Sequence, residues 1–309
     1  MKQSVKFFTV ATLASAMAAC GGGGSGDGSV SGSATAGETG SLSVGLTDAP
    51  VDSAQEVNIE VTALVLNPAG GKHIRFELEF PQPINLLDLQ GGEFENLIID
   101  EEVQAGRYNW MRLELGSNNT VVIDEVADGS AARNSYPLTT PSARGVQTSK
   151  FTVPAGGEVS LTIDFDVRKS LVNPGGKGSY KLKPVLRLVD NSEVGRIKGQ
   201  VFGNLIDQEC GDAFIADQFA GNVYVHADTS LEPDDIGSAN EPLTVAPVKA
   251  NGEGTFVAAF IPAGDYKVSY SCGNDLVEND DDISFVDVQT VTVMADAITA
   301  VDLDIQSSQ

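Results

Sequence analysis

The chain of 309 residues carries 19 Lys and Arg against 43 Asp and Glu, a formal net charge of −24, with only two histidines and three cysteines. So acidic a molecule repels nucleic acid and anionic lipid surfaces. With His73 and His226 as the whole histidine supply, a nucleophile–base pair or a histidine metal centre has almost nothing to be built from.

Residues 1–19 read as a signal peptide, because Lys2 and Lys6 give a positive start and an uncharged run from Phe7 to Met17 follows. That run is too short to cross a bilayer as a helix. It closes on Met17-Ala18-Ala19-Cys20, which resembles the bacterial lipobox. The resemblance implies that Cys20 is acylated after cleavage and that the lipid bilayer is its partner. Gly21, standing where an aspartate would retain the protein, resembles the pattern of lipoproteins passed to the outer membrane. Residues 20–40 are then an acylated cysteine and a Gly/Ser tether with nothing to bury, a disordered leash spanning about 25 Å. Gly21, Gly23 and Gly26 satisfy G-x-G-x-x-G, but no strand precedes them and no helix follows, so the dinucleotide reading fails on context.

Beyond the tether, charge divides the chain. Residues 41–190 hold 13 basic and 20 acidic side chains, residues 191–309 only 4 basic against 21 acidic, which argues for two domains, 41–190 and 195–309. Alternation of apolar and polar residues dominates both. Leu42, Val44 and Leu46 open the series; Val57, Ile59 and Val61, then Ile74, Phe76, Leu78 and Phe80, then Met111, Leu113 and Leu115 continue it. Val159 to Val167 and Leu182 to Leu188 complete the first domain. The pattern restarts at Ile197 and predicts about seven strands before the end. The expected fold is therefore all-β: two tandem antiparallel β-sandwiches of prealbumin or immunoglobulin type. No helix is signalled.

A local motif recurs as Val103-Gln-Ala-Gly-Arg-Tyr108, Val153-Pro-Ala-Gly-Gly-Glu158 and Ile261-Pro-Ala-Gly-Asp-Tyr266. Each puts a glycine where a type II turn needs positive φ, just ahead of a returning strand, so the two sandwiches are expected to be related. Cys210 and Cys272, 62 residues apart in the acidic domain, are expected to pair in an oxidising compartment, closing a loop worth about 4 kcal/mol.

Four blocks in order, Leu46 to Asp52 (LTDAPVD), Ile84 to Leu89 (INLLDL), the AGRYNWMRLEL segment from Ala105, and DFDVRKSLV followed by YKLKPVLRLV, make the first domain similar to the family catalogued as domain of unknown function 4382. That resemblance lends no catalytic residues. GRIKGQVFG at Gly195, GNVYVHAD at Gly221 and the GEGTFVAAFIPAGDYKVSYS segment resemble the transthyretin-like modules called carboxypeptidase regulatory-like. This implies a seven-stranded non-catalytic accessory module of exported proteins.

Three constellations could carry chemistry. Asp275, Asp280, Asp281 and Asp282, with Asp234 and Asp235, offer carboxylates to a hard cation such as calcium, although the spacing of an EF-hand is missing; a solvated acidic loop competes with that reading. Tyr108, Trp110 and Arg112 share one strand face by alternation, a strip suited to a sugar or protein, against which stands ordinary packing of the aromatics. Asp164, Asp166 and Arg168 likewise project from one face, as paired carboxylates for acid–base work or simply as a polar exterior. Asp48, ahead of Ala49-Pro50, is expected to make a local turn hydrogen bond.

The chain lacks G-x-S-x-G, H-E-x-x-H, C-x-x-C and a P-loop. The leading expectation is a non-enzymatic envelope lipoprotein that binds a protein or surface glycan, with no cofactor and no nucleic acid. The alternatives are a calcium-dependent adhesive module and a carboxylate-only glycan hydrolase.

Overall fold

The computed structural model describes residues 37–49, 54–78, 83–124, 133–140, 146–173, 178–211, 214, 219–229, 231–273, 275 and 283–305. Cys20 and residues 21–36 of the expected tether lie outside them. In chain order the first sandwich comprises β1 (Thr39–Ala49), β2 (Glu56–Pro68), β3 (Ile74–Glu77), β4 (Pro83–Asn85), β5 (Glu95–Gln104), β6 (Gly106–Leu115), β7 (Thr120–Asp124), β8 (Arg133–Thr139), β9 (Val146–Gln147), β10 (Phe151–Val153), β11 (Glu158–Asp166), the short helix α1 (Val167–Ser170), β12 (Leu171–Val172), β13 (Tyr180–Leu182) and β14 (Leu186–Asp190). The second comprises β15 (Val194–Val201), the helix α2 (Gly203–Cys210), β16 (Asn222–Ala227), β17 (Thr244–Pro247), β18 (Thr255–Pro262), β19 (Gly264–Ser271), β20 (Val286–Val293) and β21 (Ile298–Leu303). No sheet crosses from one set to the other among the described residues. Each has its own core, on Leu46, Leu64, Met111 and Phe165 in the first and Ile197, Val225, Phe256 and Val268 in the second.

The two sandwiches repeat one topology. In the first, β1 lies between β11, parallel to it, and β5, antiparallel, and the facing sheet runs β10-β6-β2. In the second, β15 lies between β21, parallel, and β18, antiparallel, and the facing sheet runs β20-β19-β16. The match extends to single hydrogen bonds. Gly156 N donates to Thr39 O at 2.8 Å and Asp296 N to Val194 O at 2.9 Å; Ser41 N donates to Gly157 O at 2.9 Å and Arg196 N to Ala297 O at 3.0 Å; Ala105 N donates to Glu38 O at 2.8 Å and Ala263 N to Glu193 O at 3.1 Å. A Cβ on Gly40 would collide with the Pro154 carbonyl and the Val153 side chain, and one on Gly195 with the Met294 carbonyl and the Val293 side chain. Close backbone approach therefore demands glycine at both places.

The recurring motif owes its tyrosine to the same frame. Tyr108 Oη donates to Gln104 O at 2.7 Å and Tyr266 Oη to Pro262 O at 2.9 Å, each four residues back, so each sandwich has a tyrosine corner that pins the turn between its two sheets. Burial pushes both phenol pKa values up, which keeps the hydroxyls donors. Gly106, at φ 132°, and Gly156, at φ 65°, take the expected positive φ. Gly264 does not; there Pro262 and the Tyr266 bond define the corner. A left-handed residue also sits at the register shift beside each first strand: Asp100 (φ 53°) on β5 and Phe260 (φ 55°) on β18. Asp100 suits that conformation and its N–H is held by Ser43 Oγ at 2.9 Å. Phe260 does not suit it; its ring meets Phe94 of the first sandwich edge-on at 6.4 Å.

The copies differ at their margins. β14 pairs with β11 from Leu161 to Phe165, whereas side chains close the corresponding margin of β21: Gln289 Nε2 donates to Asp302 O and Asp304 N to Asp287 Oδ2, both at 2.9 Å. Like α1, the helix α2 is an element that alternation did not announce. Its two turns bury only Leu205, Ile206 and Cys210, and the Cys210–Cys272 disulfide, with Cα atoms 5.1 Å apart, staples it beside the end of β19 as expected. Gly37–Gln309 form one compact unit, so the sandwiches are joined rather than strung apart.

Candidate functional site

The outer face of the first sandwich carries one group of candidate residues. Val65 on β2 is opposite Arg112 of β6 on one side and Arg75 of β3 on the other. Trp110 lies further along β6, opposite Asn67. The Arg112 guanidinium stands 4.2 Å above the indole of Trp110, and His73 meets the same indole edge-on at 5.1 Å. Tyr108 is not in this strip. A register shift between Asn67 and Pro68 places Asn67 opposite Trp110 but Pro68 opposite Tyr108, an extra residue that reverses the side-chain alternation. Tyr108 consequently turns into the core, 1% exposed and stacked on Phe151 at 4.7 Å, and serves the corner. His73, in the turn before β3, carries no periodic signal and was missed; Arg75 was legible as the polar partner of Ile74 and Phe76.

The seam between the sandwiches gathers a second group. The expected polar exterior of Asp164, Asp166 and Arg168 is covered by the second sandwich. Asp164 and Arg168 are 8% and 7% exposed, and Arg168 belongs to α1, not to β11. Asp164 Oδ2 accepts from Arg187 Nη2 at 2.6 Å and from Nε at 3.0 Å. Asp166 caps α1 by accepting from Lys169 N at 3.0 Å, and burial raises its pKa against the opposing pull of that hydrogen bond and of the lysine charge. Arg168 reaches across to Asp275 at 3.7 Å and Lys169 to Glu241 at 2.7 Å. A cleft of about 370 Å³ runs along this seam, with Asp166, Lys169, Arg187 and Glu241 on its polar side and Leu243 and Val245 on its apolar side. The turn that follows Asp48, where its local hydrogen bond was expected, lies outside the described residues. Asp48 Oδ1 accepts from Val167 N at 3.2 Å, tying β1 to the start of α1.

The acidic candidates of the second sandwich divide. Asp280, Asp281 and Asp282 lie outside the described residues. Asp234 is used locally, its Oδ1 accepting from Asp235 N at 3.1 Å. Asp235 and Asp275 are brought together in the interior, 0% and 4% exposed, beside Tyr224 and Arg168. Burial raises the Asp275 pKa, while Arg168 and the N–H of Ile236, 3.2 Å from Oδ1, pull it down. Among the described residues no group of three or more His, Cys, Asp or Glu is placed to hold a metal ion. His226 is wholly buried between Tyr224 and Phe285, its Nε2 2.8 Å from the Asp234 carbonyl. Burial lowers its pKa.

Residues 39–184 match the family described as domain of unknown function DUF4382. No curated protein matches the chain. Among solved structures, the Bacillus anthracis TIE protein is similar at 9% identity and a TM-score of 0.20, over 87% of this chain and 34% of that one. This chain thus spans about a third of that protein's length. The minor pilin GBS52 of Streptococcus agalactiae is similar at 8% identity and a TM-score of 0.21, over 85% and 94% of the two chains. BcpA, the major pilin subunit of Bacillus cereus, is similar at 10% identity and a TM-score of 0.21, over 86% and 99%.

Proposed function

We propose that the protein is a non-enzymatic envelope lipoprotein, held on the outer membrane by acylated Cys20, whose joined sandwiches present the outer face of the first to a glycan or protein partner. The observation that carries this reading is the half-buried Trp110 with Arg112 set over its ring, an aromatic–cation pair on a sheet surface. Such a pair spends little entropy on binding because its geometry is already fixed.

The second sandwich, read as a transthyretin-like accessory module, meets the first at β11 and α1, on the sheet opposite that face, and leaves the face open. Chemistry at the seam is disfavoured by what its carboxylates already do: Asp164 is bound to Arg187 and Asp166 caps α1. A calcium role for the acidic loop is disfavoured at Asp275, whose charge faces Arg168.

Screening the full chain, in neutral detergent, against immobilised glycans and envelope extracts tests the reading. Retention that falls with Trp110→Ala is expected; retention unchanged in that variant, or none at all, would overturn it. Palmitate labelling lost in Cys20→Ser tests the anchor separately, and undiminished labelling would refute it.

A further inference from the structure

The face around Trp110 has a charge at odds with the rest of the molecule. Lys72 and His73 in one turn, Arg75 on β3, Arg107 and Arg112 on β6, and Lys150 just before β10 all lie on it or along its rim. Arg107 is opposite Thr152 of β10 and its carbonyl accepts from Ala69 N at 2.8 Å, which brings the Lys72 turn and the Lys150 segment to either side of it. Lys72, Arg107 and Lys150 are exposed. Among the described residues the carboxylates here, Glu77 and Glu114, are both engaged by Arg75 at 2.7 and 2.9 Å. Among the described residues Lys72, Arg107, Arg112 and Lys150 form no ion pair, and Arg112 has no hydrogen-bond acceptor for its buried Nε. A chain of net charge −24 thus collects uncompensated cations on one sheet surface.

Trp110 decides which glycan fits. A neutral sugar is recognised by stacking on a bare aromatic plane, yet one face of this indole is covered by the Arg112 guanidinium at 4.2 Å. The indole therefore positions a cation. A planar fork held in place favours a carboxylate or sulfate, which it can engage through two parallel hydrogen bonds. Arg107 and Arg112 lie five residues apart on β6, roughly 16 Å along the strand, so successive charges of an extended polyanion meet successive arginines.

We propose that this face binds an acidic polysaccharide, through Arg112 fixed over Trp110 and the flanking Arg107, Lys72 and Lys150. The proposal rests on the binding reading above and narrows it to one ligand chemistry. It also reverses, for this face alone, the repulsion of anions that the net charge implies.

The full chain in neutral detergent should be titrated with polygalacturonate, heparin and neutral dextran at low and high salt, beside the triple variant Arg107→Gln, Arg112→Gln, Lys150→Gln and the single variant Trp110→Phe. Binding to both anionic polymers and not to dextran is expected, weakened at least about tenfold by the triple variant and by salt. Trp110→Phe, which keeps a ring under the cation, should lose much less. A thermal melt of the triple variant matching the parent shows that any loss is not unfolding. Dextran binding that survives the triple variant but not Trp110→Ala would overturn the acidic ligand and leave the glycan reading standing. Binding to anionic lipid vesicles in place of either polyanion would also overturn it. Absence of binding to every polymer and to envelope extracts would defeat both proposals.

Discussion

The two sandwiches have the same strand order, the same pair of close-approach glycines and the same tyrosine corner, yet their surfaces have diverged completely. The first keeps 13 of the 17 basic residues beyond the tether and arrays several on one face; the second, with 4 basic and 21 acidic residues, buries Asp235, Asp275 and His226 in its interior. What the copies share is what the backbone geometry requires. What differs is what the surface is used for, so functional residues are to be sought where the copies disagree.

The seam provides the strongest test of whether the copies act as one body. Arg168 and Asp275 have side chains only 5% and 0% exposed. Arg168→Leu would leave Asp275 buried without its cation and should cost about 3–5 kcal/mol, whereas Arg168→Leu with Asp275→Leu should recover most of the loss. Chemical denaturation of the three proteins reads this directly. A small loss for the single variant, or separate transitions for the two sandwiches in the parent, would mean that the seam is incidental.

Next in size is the disulfide, present in the second copy alone. Replacing Cys210 and Cys272 by serine should lower stability by about 2–4 kcal/mol and release α2, seen as faster amide exchange over Gly203–Cys210; the corner bonds of both copies should be unaffected. Slow exchange persisting in α2 would show that packing of Leu205 and Ile206 suffices.

The corners should give equal and smaller effects. Tyr108→Phe and Tyr266→Phe each remove one donor to a backbone carbonyl and should cost about 1 kcal/mol apiece. A large inequality would contradict the structural equivalence of the copies.

The smallest effect is on pH dependence. Burial holds the folded-state pKa of His226 below its ordinary 6.5, so the unfolded chain takes up the proton first, and stability is lost as pH falls below about that value. Asp166 and Asp275, with raised pKa values, act in the opposite sense: the folded state protonates first, and stability rises as pH falls through their folded-state pKa values toward 3.8. Melting curves of the parent and of His226→Gln should therefore diverge below about pH 6.5, the parent showing a decline relative to the variant. A decline unchanged in that variant would assign it elsewhere.

Much of the architecture was legible because alternation is a local property: Leu42 to Leu46, Val57 to Val61 and Val223 to Val225 each declare an inward face without reference to anything distant. The disulfide was legible from cysteine economy. The misplaced residues fail for non-local reasons. Tyr108 left its strip because one bulged residue resets the parity of β6, and bulges leave no trace in composition. Asp164 and Arg168 looked like a polar exterior because a face covered by another sandwich has the same alternation as one facing water. Asp275 looked like a cation ligand because Arg168, which compensates it, lies 107 residues away in the other copy. The α2 helix is too short to establish a period. Of the candidate binding face, Trp110 and Arg112 were visible, while His73, Arg107, Lys72 and Lys150 join it only through strand register.

Hydrogen exchange of the full chain with and without saturating polygalacturonate tests the division of labour between the copies most directly. Slowed exchange confined to residues 72–75, 107–112 and 146–152 of the first sandwich, with β15 to β21 unchanged, is the predicted footprint. Protection centred on the second sandwich or on the seam around Arg168 would contradict the account.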